Sequence, residues 1–409
     1  MSKLEELITE YCPDGVEYKL VDELFDIKNG YTPLKSNSVF WENGSIPWFR
    51  MEDIRTNGRI LSDAIQYITP EAVKGNLLPA NSLIMSTTAT IGEHALITVD
   101  FLMNQQITAF SLKEKFVNDA EMKFLFYCFF DFGKWCIDNA NKSGGMYIIG
   151  IQKLKQYLIP LPHPEIQREI VRILDNFTEL TAELTAELTA RKKQYEYYRD
   201  LLLLLNNDTN LGERKNSEIE WVKLNVIAKY SDSKIEAINV DKKSYVGVDN
   251  LLPNRAGKTI SSYVPVEGRL SYFKSGDILI GNIRPYLKKI WFATHQGGTN
   301  GDVLVIQVRD SEKVLPKYLF HILSTDNFFL YNVQNSRGAK MPRGNKSAIM
   351  DYSIPVPKTT EVQQQIVNIL DRFDALCNDI TIGLPAEIEA RQKQYEYYRD
   401  KLLSFKEKK

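Results

Sequence analysis

Little in this chain invites covalent, metal or membrane chemistry. It has four cysteines, Cys12, Cys128, Cys136 and Cys377. None forms a CxxC pair and none lies near a histidine pair, so they read as reduced thiols rather than a disulfide framework or a zinc site. The histidines, His94, His163, His295 and His321, are scattered without metal-ligand spacing. There is no GxSxG, no HExxH and no glycine-rich nucleotide loop. Gly257-Lys258-Thr259 resembles the end of a phosphate-binding loop, but Leu252 stands where its first glycine belongs. The NPPY-type tetrapeptide of an amino-methyltransferase is missing as well. No apolar run approaches the ~18 residues of a membrane span. The opening MSKLEELITEY is charged and lacks the apolar core of a signal peptide. Nor is there an excess of positive charge: 51 basic side chains face 52 acidic ones, a net charge of −1. Any contact with nucleic acid must then rest on local patches. These absences predict a soluble, cytoplasmic binding protein with no catalytic residues and no bound metal.

What the chain does have is a duplication. RKKQYEYYRD at Arg191–Asp200 returns as RQKQYEYYRD at Arg391–Asp400. IVRILDNF at Ile170–Phe177 returns as IVNILDRF at Ile366–Phe373, IPLP at Ile159–Pro162 as IPVP at Ile354–Pro357, and VEYKL at Val16–Leu20 loosely as IEWVKL at Ile219–Leu224. Internal repeats of this kind set the architecture before any local assignment. Each half is a weakly similar region of about 150 residues followed by a nearly identical segment of about 45. At 409 residues the chain is long enough for two domains with cores of their own. The predicted segments are a first variable domain over 1–160, a helical segment over 161–206, a second variable domain over 207–357, and a second helical segment over 358–409.

Both variable regions read as mixed α/β. In the first, Val21–Phe25 suits a short helix, Phe25–Lys28 a strand, and Ala80–Ile97 strands of β-branched character. Lys123–Cys136 carries Phe124, Phe126, Tyr127, Phe130 and Trp135 at helical spacing, as a buried helix would. In the second, GDILIG at Gly276–Gly281 matches NSLIMS at Asn81–Ser86. Asn300-Gly301-Asp302 likewise matches Asn104-Gln105-Gln106.

The helical segments are more explicit. Ile170, Ile173, Phe177, Leu180 and Leu184 form a heptad stripe. A TAEL unit then repeats without a break, and no Pro or Gly interrupts Glu165–Leu205. One continuous helix of about 40 residues, roughly 60 Å long, is predicted. The second copy has the stripe Ile366, Ile369, Phe373, Leu376, Ile380, but Gly383 and Pro385 should break it. The two matched blocks start 21 residues apart in the first copy (170 to 191) and 25 apart in the second (366 to 391). The difference is one TAEL-sized unit. Two such helices would bury their stripes on one another as an antiparallel pair.

Candidate nucleic-acid contacts are basic clusters beside aromatics or glycines: Arg50, Arg55 and Arg59 after Trp48; the Lys142-Ser143-Gly144-Gly145 loop; Arg284, Lys288 and Lys289 around Tyr286 and Trp291; and Arg337, Lys340, Arg343 and Lys346 among Gly338, Pro342 and Gly344. A solvated surface loop is the competing reading for each.

Two divergent domains, each followed by a near-identical helix with TAEL-type units and a KQYEYYRD ending, resemble the specificity subunit of type I restriction–modification enzymes. FWENGSIPW at Phe40–Trp48 is similar to a passage of that family's target recognition domains. The resemblance implies an α/β (α+β) protein with two target recognition domains, held apart by two long helices forming an antiparallel coiled coil with pseudo-two-fold symmetry. It implies double-stranded DNA as ligand, with Arg50, Arg55, Lys142, Ser143, Arg284, Lys288, Lys289, Arg337, Lys340, Arg343 and Lys346 as candidate contacts. Two modification subunits binding S-adenosylmethionine, and restriction subunits using ATP and Mg, are the implied partners, and no cofactor belongs to this chain. Ile170, Phe177, Leu184, Tyr195, Tyr198, Leu202, Ile366, Phe373, Tyr395, Tyr398 and Leu402 are the expected helix–helix or partner interface. The rival readings are a coiled-coil scaffold without DNA and a nuclease built on scattered carboxylates.

Overall fold

The computed structural model describes residues 3–143, 146–204, 219–378 and 383–408. The predicted long helix runs unbroken over Pro164–Leu204, 41 residues. Alanine, glutamate and leucine fill it and nothing in it disfavours helix. The second copy is split into helices Thr360–Asn378 and Leu384–Leu402. Pro385 sits in the first turn of the latter, where its missing N–H costs nothing. Ile380 of the predicted stripe lies outside the described residues.

Contacts divide the chain into two units that cross-cut the repeat. One comprises Met1–Ala182 together with Ala390–Lys409, and the other Glu183–Glu389. The decapeptide of the first copy therefore belongs to the second unit, and that of the second copy to the first.

In the first unit a five-stranded sheet runs Phe25–Asn29, Ile107–Leu112, Ser82–Ser86, His94–Ile97, Ile60–Leu61. The aromatic helix Met122–Asp138 covers it with Phe124, Phe129 and Phe132, all buried. This helix approaches the Ser86–His94 turn so closely that a Cβ on Gly133 would lie 2.7 Å from the Gly92 carbonyl oxygen. In the second unit a four-stranded sheet, Ala228–Tyr230, Val303–Val308, Ile278–Gly281, Ile290–Phe292, repeats the first four positions of that order. Helices Pro316–Leu323 and Asp326–Gln334 bury Tyr318, Leu319, Phe328 and Phe329 against its core. The loosely matched VEYKL and IPLP pair with each other as antiparallel strands, Glu17–Leu20 on Leu158–Leu161. Their second copies do the same, Ile219–Lys223 on Ser353–Pro357. The matched NSLIMS and GDILIG segments also agree in detail. Each enters its strand through a left-handed residue, Asn81 (φ 57°) and Gly276 (φ 90°). The Asn104 and Asn300 side chains accept from the N–H two residues on, at 3.0 and 3.1 Å.

The packed face of the helices is rotated from the predicted stripe. Ile170 and Leu174 are buried in the first copy, and Ile366, Leu370 and Cys377 in the second. Leu180, Ile369 and Leu376 are exposed. The reason is a polar residue at the root of each helix. Gln167 and Gln363 are fully buried. The Gln167 amide donates to Asp119 O and Pro162 O, both at 2.7 Å, and accepts from Glu121 N at 2.8 Å. Gln363 donates to Lys313 O and Pro357 O, at 2.8 and 3.2 Å, and accepts from Leu315 N at 2.8 Å. Such saturated amides fix the helix rotation, because an unpaired buried partner would cost about 1–3 kcal/mol. The carboxylates of the matched ILD blocks repeat the pattern: Asp175 takes Lys123 and Tyr127, and Asp371 takes Lys317 and His321.

His94 is buried against Phe126, Phe129 and Phe130. Burial first, and the Arg59 cation second, push its pKa down to about 3. The unfolded imidazole titrates near 6.5. Below that pH the unfolded chain takes up a proton that the folded chain refuses. The stability contributed by a neutral His94 is thus complete above about pH 6.5, and about 2 kcal/mol of it is gone by pH 5. Urea denaturation at pH 7 and pH 5 should show this loss in the first unit, and His94→Gln should remove most of it.

Candidate nucleic-acid interface

Each unit carries one pair of loops built to the same plan. In the first, the residues after strand Ser82–Ser86 turn through Ala89, which is left-handed (φ 64°). Thr87 N–H donates to Gln106 O at 3.0 Å, and Ala89 N–H to Tyr147 O at 3.2 Å. Ile149 N–H returns to Thr87 O at 3.1 Å, and Thr88 bridges Ile148. The partner segment is the hairpin Asn141–Ser143 with Met146–Ile148. In the second unit, the residues after Ile278–Gly281 turn through Arg284, also left-handed (φ 52°). Asn282 N–H donates to Asp302 O at 2.8 Å, and Arg284 N–H to Pro342 O at 2.8 Å. Gly344 N–H returns to Asn282 O at 3.0 Å, and Ile283 bridges Arg343. Arg337 and Arg343 exchange backbone bonds at 2.9 and 2.8 Å, closing their loop as a hairpin. A non-glycine residue held left-handed is uncommon and gathers at functional sites.

The backbone plan is shared and the side chains are not. The second unit presents Arg284, Arg337, Lys340, Arg343 and Lys346, all exposed. Among the described residues only Arg343 of these five makes an ion pair, with Asp302 at 3.1 Å. The first unit presents Thr88, Ala89 and Thr90, with Thr87 buried and Tyr147 half exposed. Its hydroxyls and amides bond one another, Thr87 to Thr108 at 3.1 Å, Thr108 to Asn29 at 2.8 Å, and Thr32 to Gln105. Lys142 and Ser143 lie on the strand Asn141–Ser143 of this hairpin. Their side chains, and Gly144 and Gly145, are outside the described residues.

The other basic candidates have different surroundings. Arg50 pairs with Glu52 at 2.9 Å and leads into the helix Met51–Asn57, while Arg55 pairs with Glu93 at 3.2 Å. Arg59 sits over the Phe130 ring at 5.1 Å and donates to His94 O. Lys289 donates to Val248 O at 2.6 Å and Lys288 to Asp326 at 2.6 Å. Arg255 also reaches Asp326. Although burial pulls the Asp326 carboxyl upward, Lys288 and Arg255 hold it below the usual carboxylate range. Lys288 and Lys289 are thereby engaged within the fold, whereas among the described residues Arg337, Lys340 and Lys346 of the 337–346 loop make no ion pair.

Of the helix residues, Phe177 stacks on Tyr398 at 5.5 Å in the first unit, and Phe373 on Tyr195 and Tyr198 at 6.4 and 6.1 Å in the second. Tyr395 and Leu402 pack on the first unit's core, and Leu202 on the second's. Leu184 is partly buried. Sequence reasoning passed over Arg199 and Arg399, which are 1% and 5% exposed. Arg399 lies over Phe130 at 4.4 Å and Tyr395 at 5.6 Å, and Arg199 over Tyr195 at 5.8 Å. Each pairs with the aspartate that follows it, at 2.9 Å for Arg199 and 2.7 Å for Arg399. The signal was there: an arginine repeated in an identical setting of tyrosines suits cation–π burial.

Two structurally equivalent loop pairs thus carry divergent side chains on one backbone plan. The model for the type I restriction modification DNA specificity domain matches residues 13–191 and again 216–390, and the chain belongs to that family. It is 39% identical over 398 residues to the EcoprrI specificity subunit of Escherichia coli, covering 93% of each chain. The EcoR124I/EcoR124II specificity subunit, also of Escherichia coli, is 37% identical over 279 residues, 62% of this chain and 65% of that one. Among solved structures, one of a type I system studied for complex assembly and conformational transition superposes with a TM-score of 0.61 at 15% identity, covering 95% of this chain and 97% of that one. The S subunit from M. genitalium gives 0.52 at 15% identity, covering 95% and 96%. At that identity these two speak for the fold. The protein is a DNA-recognition subunit of a type I restriction–modification system, a family that acts with methyltransferase and restriction subunits. Among the described residues no helix is long and apolar enough to cross a membrane.

Proposed function

We propose that each unit reads one half of a two-part duplex site through its loop pair. The Pro164–Leu204 helix and its second-copy counterpart set the unread gap and dock two modification subunits. On this reading the chain carries no catalytic group. S-adenosylmethionine is held by the modification subunits, and ATP and Mg by restriction subunits, in the cytoplasm. What carries the proposal is that one backbone plan, closed by the same hydrogen bonds, appears twice with different side chains. A shared scaffold bearing interchangeable contact residues is what two different half-sites require.

Methylome sequencing of a host expressing the chain with its modification partner tests this. A methylated motif of two fixed blocks around a constant gap is expected, and the absence of any such motif defeats the reading. The electrostatic part has its own test. Among the described residues Lys340 and Lys346 are exposed and make no ion pair, and a lysine's compact charge on a four-carbon stem suits phosphate. Lys340→Ala should weaken duplex binding by the assembled complex evenly across sequences and flatten its log–log salt slope by about 1. A DNA-free scaffold would show no salt-dependent duplex binding at all.

A further inference from the structure

We propose that the second unit reads guanine: Arg343, oriented by Asp302, donates both arms of its guanidinium to one guanine edge, and Arg284 contacts a neighbouring base of the same half-site. The inference rests on the DNA-reading role above and names the base class that this unit takes.

Arg343 stands on an unusually well-fixed backbone. Its N–H and C=O are both paired with Arg337, and Ile283 bridges it from the other side. The next residue, Gly344, is wedged so tightly that a Cβ there would lie 2.6 Å from Asn332 Oδ1 and 2.8 Å from Asn282 Oδ1. Those two asparagines are 1% and 6% exposed. The root of the loop cannot slide. From this root the Arg343 side chain extends into solvent, 62% exposed, with Nη2 3.1 Å from Asp302 Oδ1. Asp302 is itself set by the Asn300 turn, which accepts its N–H at 3.1 Å.

The carboxylate decides between phosphate and base. A guanidinium meant for a phosphate gains nothing from an aspartate in contact with it, because the carboxylate repels the phosphate and cancels the charge. A guanidinium meant for a base edge loses little, since base acceptors are neutral, and it gains an oriented fork. Among base edges in the major groove, only guanine offers two acceptors side by side, O6 and N7. Adenine pairs an acceptor with a donor, which a guanidinium cannot satisfy. Arg284 adds a second exposed guanidinium on a left-handed residue pinned by Pro342 O. The equivalent turn of the first unit, Thr87–Thr90, has no cation, so the two half-sites should differ in character.

The test compares the wild-type complex with Arg343→Lys and Arg284→Lys, using the full chain assembled with its modification partner. Methylation is measured on duplexes substituted base by base across the site. Lysine keeps the charge but loses the fork, so Arg343→Lys should cost about tenfold to a hundredfold in discrimination at one guanine. Its salt slope should stay that of the wild type. The positions relaxed by Arg343→Lys and Arg284→Lys should fall in the same half, and Asp302→Asn should partly reproduce the Arg343 effect. If Arg343→Lys retains full discrimination, or relaxes a position that is not guanine, the guanine assignment is overturned and the two-part reading stands. A wild-type complex that methylates no two-part site overturns both.

Discussion

Deleting one Thr-Ala-Glu-Leu unit from the long helix is expected to abolish methylation of the original site and create activity on a site whose gap is shorter by one or two base pairs. The unit lies inside a helix with no break from Pro164 to Leu204. Four residues remove about 6 Å of rise and about 40° beyond a full turn, on the scale of one to two base-pair steps. The deleted residues, Thr181-Ala182-Glu183-Leu184, make few demands on the fold: Ala182 and Glu183 are exposed and the other two are partly buried. Both loop pairs lie outside the helix and keep their side chains, so the bases read in each half should not change. Methylation of a ladder of duplexes, identical in both halves and differing only in gap, measures the shift. An unchanged gap optimum would remove the helix from the spacing mechanism.

The second large effect is crossed. Leu203→Ala should destabilise the unit that follows it in the chain, and Leu403→Ala the unit at the beginning. Leu203 is 1% exposed within the second unit's core, and Leu403 is 6% exposed within the first's. Truncating a buried leucine costs about 2–5 kcal/mol, a large share of a domain's ordinary stability. The C-terminal segment contributes more than one side chain. Val16 N–H donates to Lys406 O at 2.8 Å, Lys408 N–H to Val16 O at 2.9 Å, and Lys134 pairs with Asp400 at 2.9 Å. Hydrogen exchange read peptide by peptide would assign each loss. Protection should fall in Phe25–Asp138 for Leu403→Ala and in Ala228–Asp351 for Leu203→Ala. Losses confined to the neighbouring sequence would contradict the crossed packing.

Much of this was legible because duplication is a property of the string itself. The decapeptide, the ILD blocks and the two proline-bearing strands could be matched without structure. The long helix could be read because its residues favour helix at every position. The helix face could not. Leu180, Ile369 and Leu376 fit a heptad, but Gln167 and Gln363 set the rotation, and apolar counting treats a glutamine as surface. Arg199 and Arg399 were missed for the same reason, being charged residues assigned to water by default. The loop pairs were hidden by distance. Residues 87–89 meet 147–149, and 282–284 meet 342–344, across intervals that carry no periodic signal. The candidate contacts were chosen by charge and loop position, which grouped Lys288 and Lys289 with Arg284 although their ammonium groups are bound to Asp326 and to Val248 O.

The crossed packing also bears on how such a protein could change over generations. The two decapeptide helices seat the same positions: Tyr195, Leu202 and Leu203 pack in the second unit's core and Tyr395, Leu402 and Leu403 in the first's, with Tyr198 stacked on Phe373 and Tyr398 on Phe177. The two units thus offer equivalent sockets to a single type of plug. A gene segment encoding one variable domain could be replaced, or moved to the other position, and still find its fitting supplied by the rest of the chain. New target sequences would then arise by recombination of whole cassettes, faster than by substitution of single bases.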